Sequence, residues 1–146
     1  MTGTAPSVAA AEPPTSAAAH RPSVLHVCTS CRPSGFPREP RENRPGFKLY
    51  RELRAALDAS PLGQHVEVRA VECLSLCPRP CGVAFSSPGA WSYLFGDQCP
   101  GESARDILAC ASVYVGAEDG FMPRRERPGP LRASILGRVP PLESGR

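Results

Sequence analysis

Apolar residues recur along the middle of the chain with two different periods, and the switches between them predict a succession of elements. Val24-Leu25-His26-Val27 is a short apolar run that reads as a buried strand and ends directly in Cys28-Thr29-Ser30-Cys31. From Phe47 to Leu57 the period lengthens. Tyr50, Leu53 and Leu57 form an i, i+3, i+7 stripe flanked by Leu49 and Ala56, while Lys48, Arg51, Glu52 and Arg54 face away. This predicts a helix, closed by Asp58, Ser60, Pro61 and Gly63. Val66-Glu67-Val68-Arg69-Ala70-Val71 alternates as a half-buried strand does, and leads through Glu72 into Cys73. Two β-rich runs, residues 82–86 and 90–95, flank Ser87-Pro88-Gly89 and predict a hairpin. A second helix is expected from Ser103 to Tyr114, with Ala104, Ile107, Leu108 and Ala111 toward the core. Ser103 and Asp106 have the spacing of a capping box, and Gly116 suits the terminator.

A strand–helix–strand unit of this length favours parallel strands joined by a right-handed crossover. Parallel neighbours end at the same edge of the sheet, where open α/β sheets carry their ligands. Both strands run into cysteines at that end. The predicted fold class is therefore α/β: a βαβ unit followed by a β-hairpin and a C-terminal helix.

Composition limits how much of the chain this fold uses. Among 146 residues are 18 prolines and 13 glycines, concentrated in loops and toward the ends. Residues 1–22 are mostly Ala, Pro, Ser and Thr without amphipathic period and read as a disordered leader. Residues 123–146 are rich in Pro and Arg and read as an extended tail, with Leu131, Ile135 or Leu136 available to pack onto the domain. That leaves 23–122 as one domain of roughly 100 residues. Arg32 to Pro45, with four prolines, is predicted loop, either a cover over the cysteines or a plain excursion. No signal-peptide pattern and no transmembrane run stands out, so a cytoplasmic protein with reduced thiols is expected. The formal charge of +3 does not demand nucleic acid, and the basic tail has no aromatic platform beside it. Seven basic residues between Arg32 and Arg54 outnumber Glu39, Glu42 and Glu52; they read as a solvated surface, or as a patch steering an acidic redox partner. Trp91 reads as a strand aromatic packed on the core.

The candidate chemistry lies in seven cysteines. Cys28 and Cys31 form a C-x-x-C, and Cys73, Cys77 and Cys81 follow at intervals of four. Thiolate-only surroundings select zinc or iron–sulfur. Cys28, Cys31, Cys73 and Cys77 are the candidate ligands of a [2Fe–2S] cluster, or of zinc, with Cys81 as a fifth candidate for the metal. A third reading makes Cys28 and Cys31 the redox pair of a dithiol oxidoreductase, although the proline-rich stretch after Cys31 separates them from the next helix. Cys99 reads as an incidental loop thiol and Cys110 as a buried hydrophobe. His26 shares a strand face with Cys28, which suits a mixed site, but a histidine bonded to a strand neighbour is the commoner case. No nucleophile–base pair, paired carboxylates or phosphate-cradling glycine loop is apparent, and Glu72 and Asp97 stand alone. An electron carrier or metal-binding protein is expected rather than an enzyme.

The motifs also carry a resemblance. Glu72-Cys73-Leu74-Ser75-Leu76-Cys77 is similar to the Glu-Cys-Leu-Gly-x-Cys segment after the second strand of thioredoxin-like [2Fe–2S] ferredoxins. The chain departs from them in the first pair, where two residues separate cysteines that those ferredoxins set further apart; Cys81 is then the alternative ligand. Val27–Arg32, Cys73–Cys81, Pro88–Asp97 and Arg138-Val139-Pro140-Pro141 together resemble a family of bacterial predicted metal-binding proteins, domain of unknown function 1636. The resemblance implies a thioredoxin-like metal-binding domain and supplies no reaction.

Overall fold

A computed structural model describes residues 22–142. The leader expected over 1–22 lies, but for its last residue, outside the described residues. The elements run β1 (Ser23–Cys28), α1 (Pro45–Asp58), β2 (Val66–Val71), β3 (Val83–Ser86), β4 (Ser92–Phe95), α2 (Ala104–Gly116), α3 (Gly129–Ala133) and β5 (Ile135–Val139). The five strands form one sheet in the order β2-β1-β3-β4-β5. β1 and β2 are parallel, in register from Ser23 opposite Val66 to Cys28 opposite Val71. The remaining neighbours are antiparallel.

Alternation along the strands explains the core. Leu25 and Val27 of β1, Val83 and Phe85 of β3, and Tyr93 and Phe95 of β4 are buried. They meet Leu49, Leu53 and Leu57 from α1, and Ile107, Ala111 and Tyr114 from α2. Phe85 stacks on Tyr114, and Phe95 meets Phe85 edge-on. The intervening strand residues, among them Val24, His26, Ala84 and Leu94, are only half-buried.

α1 begins at Pro45 rather than Phe47 because proline suits the first helical turn. The capping box at α2 does not form. The Ser103 hydroxyl instead accepts the Cys99 N–H at 2.9 Å, which ties down the exposed Cys99 turn. Cys110 is buried with its sulfur 3.5 Å from that of Met122. Burial pushes its thiol up to about 12. Trp91 lies half-buried, edge-on to Phe121, with the Arg138 guanidinium over both rings.

The expected extended tail from Pro123 needs correction. Over the described residues 123–142 the chain folds into α3 and β5, so the folded region passes 122. Leu131 is buried, and β5 completes the sheet by pairing with β4, Ser92 opposite Val139 and Phe95 opposite Ile135. α3 has five residues and starts on a proline-rich turn, too short to show a period; the ladder around Gly137 is set by β4, not by local pattern.

Candidate metal centre

The two cysteine-bearing segments meet because β1 and β2 end together. Past the last register pair, the Thr29 N–H donates to the Val71 carbonyl at 2.8 Å and the Cys28 N–H to the Gly82 carbonyl at 3.1 Å. The C-x-x-C turn is thus held against the start and the end of the second cysteine segment. Cys28, Cys31, Cys73 and Cys77 all line one cavity of about 500 Å³.

The five thiols differ in exposure. Cys28, Cys31 and Cys81 are buried, whereas Cys73 and Cys77 are exposed. The Cys31 thiol contacts both the Cys28 and the Cys81 thiol, and the Cys81 sulfur lies 4.0 Å from the Cys31 carbonyl oxygen. Cys81 therefore stands behind the pair, away from the cavity wall. Backbone amides address the sulfurs from both segments: Leu74 and Ser30 donate to Cys28, Gly82 to Cys31, and Ser75 to Cys73 at 3.2 Å. The hydrogen bond with Cys31, followed by burial, raises the Cys28 thiol far above the ordinary range. For Cys31 the bond from Cys28 pulls downward, but the bond with Cys81 and burial outweigh it, and the thiol is raised. Among the described residues no three His, Cys, Asp or Glu side chains converge as ligands of one ion do. By chemistry the donor set fits a thiophilic centre: four thiols at one cavity, with hydrogen-bond donors aimed at three of them.

The proline-rich stretch proves to be a wall of the cavity, since Arg32, Ser34, Gly35, Arg38 and Arg44 line it beside the thiols. Arg44 holds the wall in place by donating to the Arg38 carbonyl at 2.8 Å and the Ser30 carbonyl at 3.5 Å; Arg32 donates to Phe36 at 2.7 Å. The same stretch does not separate Cys31 from the next helix. It loops back, so that the Gly46 N–H in the first turn of α1 donates to the Cys31 carbonyl at 3.0 Å. Gly46 has to be glycine: a Cβ there would stand 2.2 Å from the Cys28 carbonyl oxygen. The dipeptide Pro45-Gly46 announces the helix start, but nothing local in it points at a cysteine 15 to 18 positions earlier.

A second brace comes from the far end of β4. Asp97 forms an ion pair with Arg79, inside the cysteine segment, and its N–H donates to the Arg79 carbonyl at 3.1 Å. Gln98 exchanges backbone hydrogen bonds with Cys81 at 3.1 and 3.4 Å, and its buried amide donates to Gly96 and Ser134. Asp97, isolated in sequence, is thereby a positioning residue. His26 is not among the residues lining the cavity; its Nε2 lies 2.7 Å from the Ser86 hydroxyl, across the strand pair. A larger groove of about 820 Å³ lies between α1 and the outer edge of β2. It contains no thiol, and its Glu67 and Arg69 are paired with each other at 2.9 Å.

A family model described as "Protein of unknown function (DUF1636)" matches residues 25–141. The chain belongs to this family. No curated protein matches it. Among solved structures, the chain is similar to a thioredoxin-like [2Fe–2S] ferredoxin from Aquifex aeolicus, with a TM-score of 0.55 and 14% identity over 83% of this chain and 96% of that one. At that identity the likeness shows a thioredoxin-like fold, as the strand–helix–strand reading anticipates. The family match runs through β5, in agreement with the corrected extent of the folded region.

Proposed function

We propose that this family member is a metal-binding protein in which Cys28, Cys31, Cys73 and Cys77 hold a [2Fe–2S] cluster for electron transfer. The observation that carries this reading is the meeting of all four thiols, from segments more than 40 residues apart, at one arginine-walled cavity. Bound there, such a cluster takes up and releases one electron. The chain supplies the surroundings: amides of Ser30, Leu74 and Ser75 donate toward cysteine sulfurs, stabilise negative charge on them, and raise the reduction potential. Arg32, Arg38 and Arg44 offset the charge of four thiolates and present a basic rim to an acidic redox partner. Among the described residues no helix is long and apolar enough to cross a membrane. All seven cysteines are free, which suits a reducing compartment, and we assign the protein to the cytoplasm.

The same ligands serve zinc. The contact between the Cys28 and Cys31 thiols beside α1 favours a dithiol oxidoreductase in geometry, but both thiols are raised, opposite to what an attacking thiolate requires. Anaerobic purification with a visible spectrum and iron, zinc and sulfide assays separates the readings. Two irons and two sulfides per chain are expected, lost in Cys73→Ser and Cys77→Ser and retained in Cys99→Ser and Cys110→Ser. One colourless zinc would replace the cluster reading, and metal-free protein with a reversible Cys28–Cys31 disulfide would leave only the oxidoreductase.

A further inference from the structure

The described chain past α2 carries a second charged feature, distinct from the thiol cavity. Arg124, Arg125 and Arg132 line a shallow, open depression of about 450 Å³. Arg132 is fixed there, since its Nη1 donates to the Arg127 carbonyl at 2.7 Å. Arg127, in the same turn of chain, is buried to 7% exposure, and its Nε and Nη1 have no hydrogen-bond partner. Its guanidinium is thus held inside the turn rather than out in solvent. Among the described residues no salt bridge joins any of these four arginines to a carboxylate. An arginine cannot shed its charge, and a buried cation without a counter-charge costs several kcal/mol. Four guanidiniums thus crowd into nine residues that hold one carboxylate, Glu126, and among the described residues none of the four is ion-paired with it.

We propose that the open depression lined by Arg124, Arg125 and Arg132 binds a small polyanion of the di- or triphosphate class. Three planar guanidinium forks match the oxygens of linked phosphate groups, each able to pair bidentately. Linked phosphate groups present more oxygens to three forks than a single phosphate does. No aromatic side chain lines the wall on which a nucleobase could stack, so the recognised part is the phosphate chain itself. The bound anion offsets the repulsion among Arg124, Arg125 and Arg132.

Isothermal titration of the full chain with sodium tripolyphosphate, pyrophosphate and phosphate, at matched ionic strength, tests the site. Tripolyphosphate is expected to bind saturably at one per chain, more tightly than pyrophosphate, with phosphate weakest. The double change Arg124→Gln/Arg125→Gln, at two exposed positions, and Arg132→Gln, at a half-buried one, should each weaken it about tenfold or more. The double variant Cys73→Ser/Cys77→Ser should bind as the unaltered chain does; this excludes heat from metal chelation and keeps the outcome independent of the metal reading. Absence of saturation at millimolar tripolyphosphate, unchanged binding in the arginine variants, or binding of a short oligonucleotide without tripolyphosphate would overturn the proposal.

Discussion

The buried cysteines show how strongly a side chain's chemistry depends on what surrounds it. Cys28, Cys31 and Cys110 all have thiols raised above the ordinary 9.0, the first by its bond with Cys31 and by burial, the last by burial. The folded state thus holds these protons more tightly than the unfolded chain does. In the metal-free protein this stabilisation is fully present below the unfolded value of 9.0 and is lost as pH rises from there toward the raised folded values. Urea midpoints of the metal-free protein should therefore fall between pH 8 and pH 10.5 (roughly the span that brackets an ordinary thiol). Cys28→Ser should flatten that fall; an unchanged slope would mean Cys28 is not the group responsible. Metal ligation has to displace the same protons, so metal affinity should drop as pH is lowered. The spelling of the C-x-x-C does not show this, because the burial that raises both thiols, and the Cys81 thiol that raises Cys31, come from segments far along the chain. Ser75 shows the same limit: it occupies the left-handed region at φ 59°, where the similar ferredoxin segment has glycine, and its N–H reaches the Cys73 sulfur.

At the level of elements, periodicity located β1, α1, β2, the β3–β4 hairpin and α2 to within a few residues, because each buries one face against the others. The parallel pairing of β1 with β2 was legible for the same reason, since a short crossover helix leaves few alternatives. What periodicity could not reach were the loops. The Arg32–Pro45 stretch closes over the thiols through hydrogen bonds from arginine side chains to backbone carbonyls, a pattern with no sequence period. The Arg79–Asp97 pair joins two loops 18 positions apart. Both partners are 44% exposed, so Asp97→Asn should cost less than about 1 kcal/mol in unfolding. The pair positions the cysteine segment, however, and the same change should weaken metal binding about tenfold. Competition with a chromophoric chelator measures this, and equal affinities would remove Asp97 from the support of the site.

At the scale of the whole molecule, the basic, proline-rich end of the chain behaves as core. Leu131 is fully buried and β5 gives β4 its outer neighbour, whereas Leu142 is 90% exposed. Leu131→Ala should therefore destabilise the protein by about 2–5 kcal/mol in urea unfolding, and Leu142→Ala by no more than about 0.5 kcal/mol. Similar small losses at both positions would restore the description of this segment as a tail. By itself, the amino-acid sequence determined the α/β class, the order of the main elements and the pairing of two cysteine-bearing strands, because hydrophobic period and short connections are local properties. Only the tertiary structure decided which thiols face the cavity, that Cys81 stands behind it, that Gly46 and Asp97 brace it, and that the last strand belongs to the sheet. Those outcomes depend on contacts between residues far apart in the chain, whose geometry no local pattern encodes.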